Sequence, residues 1–161
     1  MGPNPKMFYA VARAPGLLAG MAYPDEPMWQ SIHKMGYRQV VCLTHDKPPY
    51  DPTPLGVLYA AHLQDLAGGL RPQRPELEER CIREAVARIV PSLRQGKGVA
   101  VHCEGGTGRT GTVLACALKA LGVTPTMVLR QMNTVNEARK KYDGWKGWPE
   151  SVWQQDLFDR F

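Results

Sequence analysis

A short apolar run that passes through a glycine-rich loop into an apolar helix limits what this chain can fold into. Val99–His102 predicts a buried strand. Residues 104–108 contain three glycines, and residues 110–121 form a mostly apolar helical segment that ends at Gly122. A strand that leads directly into a helix is the repeating unit of proteins with a parallel sheet. The sequence therefore predicts an α/β fold.

The rest of the chain alternates in the same way. We predict further strands at residues 8–11, 17–20, 38–43 and 56–63, and helices at 25–34, 76–95, 125–140 and 150–161. Asp25 is the predicted N-cap of the first helix, and residues 1–6 are expected to be loosely held. The 161 residues fit one domain. We expect residues 1–161 to form a single domain with a mainly parallel central sheet flanked by helices.

The amino-acid composition favours some classes of binding partner but does not identify one of them. A net charge of +5 favours anionic partners, among them nucleic acids, acidic lipids and phosphorylated substrates. No apolar run approaches the roughly 20 residues of a membrane helix. The cysteines are too widely spaced for a zinc motif or a disulfide framework, which predicts reduced thiols and a cytoplasmic protein. They are Cys42, Cys81, Cys103 and Cys116.

The glycine-rich loop has the chemistry of an oxyanion site. Glycines let successive amide N–H groups point into one hollow, and the helix that follows adds the positive end of its dipole. Arg109 can hold two phosphate oxygens at once. Cys103 lies where these donors favour the thiolate, which can attack phosphorus to form a phosphocysteine. The predicted phosphate-binding residues are Glu104, Gly105, Gly106, Thr107, Gly108 and Arg109.

Three other interpretations fit the loop less well. Gly106 to Gly111 matches the G-x-G-x-x-G dinucleotide pattern, but no second strand ends in an acidic residue about 20 positions later. A Walker loop would need a lysine where Arg109 stands. A structural turn with an inert cysteine leaves a cation at a helix N-terminus unexplained.

Residues His102 to Gly111 resemble the signature His-Cys-x5-Arg-[Ser/Thr]-Gly of the protein tyrosine phosphatase superfamily. The small size and the element order over residues 15–160 are most similar to the small atypical dual-specificity phosphatases. The resemblance implies an enzyme that needs no metal and no cofactor. It also implies that His102 supports the loop, that Thr110 donates to the sulfur, and that Gln154 or Gln155 positions the hydrolytic water.

A leaving group needs a proton, so we expect a carboxylic acid near Cys103. The candidates are Asp25, Asp46, Asp51 and Asp65. Asp65 follows a strand and opens a loop with Gly68 and Gly69 that could close over a substrate. It also lies 38 positions before Cys103, where the resembling family keeps its acid. Asp65 is therefore the predicted general acid, and Asp46 is the second candidate.

The resemblance also bears on the substrate. Phosphoinositide-directed relatives carry lysines where Glu104 and Thr107 stand, which favours phosphotyrosine, with phosphoserine or phosphothreonine, in a protein or peptide. A phosphate-binding module without turnover remains an alternative, as does a non-protein substrate such as a phosphoinositide or an RNA 5′-phosphate. We expect a monomer that binds neither nucleic acid nor a membrane.

Three further groups of residues carry predictions. A basic cluster is expected to steer anionic substrates, and aromatic side chains near the C-terminus are expected to pack the last helix. Cys42 is a candidate disulfide partner of Cys103. The basic residues are Arg139, Lys140, Lys141 and Lys146, and the aromatic residues are Trp145, Trp148, Trp153, Phe158 and Phe161.

Overall fold

A computed structural model describes residues 4–25, 27–143 and 146–161 of the chain. Within them the chain forms a five-stranded sheet in the order β1-β2-β5-β3-β4. The strands are β1 (Phe8–Ala12), β2 (Leu18–Met21), β3 (Tyr37–Cys42), β4 (Gly56–Ala60) and β5 (Gly98–His102). The helices are α1 (Met28–Lys34), α2 (Pro75–Arg94), α3 (Gly108–Ala120), α4 (Pro125–Asp143) and α5 (Val152–Arg160).

The sheet is mixed, with a parallel centre. Strand β1 pairs antiparallel with β2, whereas the pairs β2–β5, β5–β3 and β3–β4 are parallel. Strand β5 lies in the middle and is buried throughout, which explains why its sequence is almost continuously apolar. The prediction of one α/β domain with a mainly parallel sheet is confirmed. Among the described helices, none is long and apolar enough to cross a membrane.

The two faces of the sheet are covered unequally. Val99 and Val101 face the larger core, to which α2, α3, α4 and α5 contribute, while Ala100 faces a smaller core that contains Trp29 and Ile32 of α1. Helix α3 is buried on nearly all sides because helices α2, α4 and α5 surround it. The register aligns Met21, Cys42 and His102 at one sheet edge, so the loop after β5 opens at the carboxyl ends of three parallel strands.

The predicted ends of several helices and strands differ from those in the structure. Asp25 is not an N-cap: Pro27 occupies the N-cap position of α1, without a side-chain cap, and the Asp25 carbonyl accepts from the Met28 amide. Strand β4 ends at Ala60, and α5 begins at Val152 after the N-cap Ser151. Residues 4–6, expected to be loosely held, bond to the fold through their carbonyls, and residues 1–3 lie outside the described residues.

Candidate active site

The loop between β5 and α3, residues 103–108, is called the glycine loop here. Its sharpest bend is at Gly106, whose φ of 76° lies in the left-handed region that favours glycine. A Cβ at this position would come within 2.7 Å of the Met21 carbonyl group. The loop therefore passes so close to the end of β2 that only glycine fits.

Neighbouring backbone and side-chain groups bind the carbonyls of the glycine loop from outside. The Tyr23 amide donates to the Glu104 carbonyl at 2.8 Å, and the Gly111 amide donates to the Thr107 carbonyl at 2.8 Å. His102 Nδ1 lies 3.0 Å from the Cys103 carbonyl oxygen. Each of these contacts fixes the orientation of one peptide plane.

Arg139 of α4 holds the middle of the loop. Its guanidinium donates to the carbonyls of Gly105 at 2.6 Å and Gly106 at 2.9 Å, and to Thr107 Oγ1 at 2.9 Å. Only 5% of Arg139 is exposed. The prediction that Arg139 belongs to a surface cluster is wrong: its charge is buried against the loop, where the carbonyls satisfy it.

Tyr9 of β1 supports the same contact. Its hydroxyl donates to the Gly106 carbonyl at 2.5 Å, and the Arg139 guanidinium lies over its ring at 4.8 Å. Burial is the main reason that the pKa of Tyr9 is raised, so the hydroxyl keeps the proton that it donates. Arg139 also donates to the carbonyls of Pro5 and Lys6, which ties the N-terminal segment to the loop.

These contacts set the direction of the carbonyls, and with them that of the amides, in the glycine loop. In a trans peptide the C=O and N–H groups point in opposite directions, so outward carbonyls turn the amides inward. The carbonyls from Cys103 to Thr107 all have outer partners. The bound carbonyls therefore favour the inward-facing amides that the glycines predict, and the anion-sized ring itself stays a prediction.

Cys103 is the first residue of the glycine loop and follows β5 directly. Only 2% of the residue is exposed, and its thiol is free. Thr110, in the first turn of α3, is buried, and its Oγ1 has no hydrogen-bond partner among the described residues. Buried hydroxyls nearly always have a partner, so Thr110 is available to donate to a group that arrives during the reaction.

The tautomer of His102 follows from its two contacts. A carbonyl only accepts, so Nδ1 carries the hydrogen that bonds to Cys103. Nε2 lies 2.6 Å from the Tyr50 hydroxyl, and burial is the main cause that raises the pKa of Tyr50, so the phenol keeps its proton and donates. The sequence did not predict Tyr50, because it reaches His102 from the proline-rich loop after β3.

Cys42 is adjacent to His102 in the sheet register, at the end of β3. Its Sγ lies 3.4 Å from Thr44 Oγ1, and its thiol is free, as is that of Cys103. The pairing of Cys42 with Cys103 stays a prediction.

The Arg109 guanidinium contacts the segment that follows β4. Its Nη1 donates to the Leu63 carbonyl at 3.2 Å, and its Nη2 lies 3.9 Å from Asp65 Oδ2. Buried Glu78 of α2 lies near the guanidinium; burial raises the pKa of its carboxyl, while the Gln64 amide and the Arg109 charge oppose that rise. The sequence missed Glu78, because α2 meets α3 only in the folded chain.

Asp65 is the candidate acid that the structure brings next to Arg109. Its side chain is 60% exposed, and its Oδ1 accepts from the Ala67 amide at 3.0 Å. The carboxylates of Asp46 and Asp51 are bound elsewhere, by the His62 amide and by Thr53.

The two glutamine candidates for positioning the hydrolytic water lie on different sides of α5. Gln154 is buried, and its Nε2 would lie 3.1 Å from a Cβ on Gly108, so it borders the glycine loop. Gln155 donates from Nε2 to Asp159 along α5, which places it on the outer side of that helix. Of the two, Gln154 is the one that the structure places at the site.

A cleft of about 610 Å³ lies beside the site, between residues 67–69 and residues 146–150. Lys146 and Glu150 line this cleft, and the sequence did not predict either residue as part of the site. Among the aromatic residues, Trp148, Trp153 and Phe158 are buried as predicted, whereas Trp145 and the Lys141 side chain lie outside the described residues. Lys140 is exposed on α4.

A buried cysteine before a glycine-rich loop, with an arginine at the N-terminus of the next helix, is typical of small dual-specificity-type phosphatase domains. The family model for PTP-SAK, described as the Swiss Army Knife protein, DSP-PTPase phosphatase domain, matches residues 8–146, and the chain belongs to this family. The resemblance in the sequence is confirmed.

Solved structures share the fold. Tk-PTP in the active form is 24% identical, with a TM-score of 0.66 and coverage of 99% of this chain and 97% of that one. A cysteine-to-serine variant of Pseudomonas aeruginosa TpbA in complex with pTyr is 14% identical, with a TM-score of 0.63 and coverage of 98% and 86%. PTPMT1 in complex with PI(5)P is 13% identical, with a TM-score of 0.60 and coverage of 95% and 97%.

Proposed function

We propose that this phosphatase hydrolyses phosphomonoesters on proteins or peptides, phosphotyrosine above all, through a phosphocysteine on Cys103. The observation that carries the proposal is the glycine loop, whose carbonyls from Cys103 to Thr107 all have hydrogen-bond partners, an arrangement that favours a ring of inward-facing amides beside the buried Cys103. Such a ring stabilises the charge on a phosphoryl group without reorganising during the reaction.

Each residue has a defined part in the proposed reaction. The Cys103 thiolate attacks phosphorus while Arg109 binds two of its oxygens. The leaving oxygen takes a proton from Asp65, which then accepts a proton from the attacking water. Thr110 donates to the sulfur as it leaves, and His102 holds the Cys103 carbonyl. No step requires a metal or an organic cofactor.

The rim of the site supports a protein substrate over a multiply phosphorylated one. Glu104 is exposed on the glycine loop, and its carboxylate disfavours a second phosphate close to the first. The open cleft at residues 67–69 and 146–150 can accept the residues beside a phosphotyrosine. We also propose that the protein acts as a monomer in the cytoplasm, where a reduced thiol is maintained.

The test measures turnover of p-nitrophenyl phosphate and of a phosphotyrosine peptide in the presence of a chelator. The full chain should be active, Cys103→Ser inactive, and the half-exposed Cys81→Ser near normal. Phosphate binding without turnover by the unsubstituted protein would show a binding module instead. Faster hydrolysis of a phosphoinositide or an RNA 5′-phosphate than of the peptide would refute the substrate class.

A further inference from the structure

Glu150 lies directly before α5 and is fixed by a buried partner. Its amide donates to Gln154 Oε1 at 2.7 Å, and Gln154 is only 1% exposed. The following residue, Ser151, caps α5. The position of Glu150 is thus set by the start of a packed helix and not by a free loop.

The carboxyl group of Glu150 rests against the glycine loop. A Cβ on Gly108 would overlap Glu150 Oε1, so the glycine at this position makes room for the carboxyl group. Gly108 is the first residue of α3, and its amide donates a hydrogen bond to the Glu150 carboxyl group at the N-terminus of this helix. A phosphomonoester held by the ring would therefore arrive next to Glu150.

The surroundings of Glu150 raise the pKa of its carboxyl group above its ordinary value. Burial is the largest cause that raises the pKa of this carboxyl, and the Asp65 carboxylate raises it further, whereas Arg109, the Gly108 amide and Arg139 oppose the rise. Lys146 lines the same cleft. A phosphate dianion would add another negative charge close by and so favour the protonated group still more.

We propose that Glu150 is a second general acid of this phosphatase, acting on the leaving group in parallel with Asp65. The inference rests on the proposed function, because it assigns a further catalytic residue to the same site. The Glu150 carboxyl group lies against the first residue of α3, so it can give a proton to the leaving oxygen of a phosphomonoester bound there. Asp65 reaches the same region from an exposed loop, so the two carboxyl groups approach the leaving group from different segments.

The proposed step conserves protons and electron pairs. The sulfur–phosphorus bond forms as the bond from phosphorus to the leaving oxygen breaks, and that oxygen keeps the electron pair and takes the proton of Glu150. Water then attacks phosphorus and gives a proton to the Glu150 carboxylate. The sulfur leaves as a thiolate, which restores the starting state.

The test compares Glu150→Gln, Asp65→Asn and the double variant on phenyl phosphate, a poor leaving group, and on p-nitrophenyl phosphate, a good one. General acids contribute about 10²-fold to 10⁴-fold, so with two acids in parallel we expect Glu150→Gln to lose about tenfold in kcat/KM on phenyl phosphate and little on p-nitrophenyl phosphate. The alkaline limb of its pH profile should move to lower pH. The double variant should lose much more than either single one.

Glu76→Gln, at an exposed site in the first turn of α2, is the matched control and should leave kcat/KM on both substrates unchanged. Equal losses on both substrates with an unchanged alkaline limb would show a positioning role and overturn the proposal, as would no loss at all. If Glu150→Gln does not fold, Glu150→Asp should keep the alkaline limb. Activity of the unsubstituted protein that Cys103→Ser abolishes tests the proposed function separately.

Discussion

The glycine loop and the segment that carries Asp65, residues 65–70, border the same site but are held in different ways. Partners from β1, α4 and the segment after β2 bind the glycine loop, and its bend at Gly106 is crowded. In the segment 65–70, called the acid loop, a Cβ on Gly68 or Gly69 would meet no atom within 4 Å, and Leu70 is 54% exposed.

The difference in how the two loops are held fits the different roles proposed for them. A ring that stabilises transition-state charge has to be fixed before the substrate arrives, since reorganisation during the reaction would cost the same free energy that the ring provides. A loop that delivers an acid has to admit the substrate first and can then close. We therefore expect substitutions in the glycine loop to cost far more than equivalent substitutions in the acid loop.

The largest expected effect is that of Arg109→Lys. Lysine keeps the charge but loses the planar pair of donors that bind two phosphate oxygens. We expect kcat/KM for p-nitrophenyl phosphate to fall about a thousandfold, as when a transition-state donor is lost, and vanadate affinity to fall with it. Vanadate affinity within a few-fold of the unsubstituted protein would show that charge alone is sufficient.

Matched alanine substitutions at Gly106 and Gly68 test the comparison directly. Both glycines have positive φ, at 76° and 83°, but only Gly106 is crowded by backbone. We expect Gly106→Ala to displace the ring and to cost about a hundredfold in kcat/KM, and Gly68→Ala to cost only the local strain of about 1 kcal/mol in stability. Similar losses of activity in the two variants would remove the distinction between the loops.

The outer support of the ring is tested by Arg139→Met. Methionine retains much of the volume but leaves the Gly105 carbonyl without its donor, so we expect a loss of about 3 kcal/mol in the free energy of unfolding and a Tm lower by about 10 °C. Phosphate affinity should fall about tenfold because the amides are less well oriented. Lys140→Met, on the exposed side of α4, is the control and should change neither quantity.

The smallest expected effect is that of Glu104→Gln, which changes the charge at the rim and leaves the bonded carbonyl in place. Removing an exposed carboxylate should raise kcat/KM for a doubly phosphorylated peptide by roughly threefold at low salt, and less at high salt. Activity on a singly phosphorylated peptide should stay nearly constant. A large loss on both peptides would mean that this side chain supports the loop.

The local sequence pattern was sufficient to predict the central strand–loop–helix unit. Strand β5, the glycine loop and α3 are consecutive in the chain, so apolar patterning and glycines predicted the α/β fold and its candidate nucleophile. Prediction failed where contacts join distant segments. Arg139 has the sequence context of a solvated helix end, and only the packing of α4 against β1 places it under the loop.

The order of residues along the chain determined the candidate nucleophile and its arginine, because the signature from His102 to Gly111 is contiguous and its chemistry depends on side-chain types. Only the tertiary structure decided which groups support them. Tyr9, Tyr50 and Glu78 come from β1, the loop after β3 and α2. Long-range packing brings such groups together, and no local propensity encodes it.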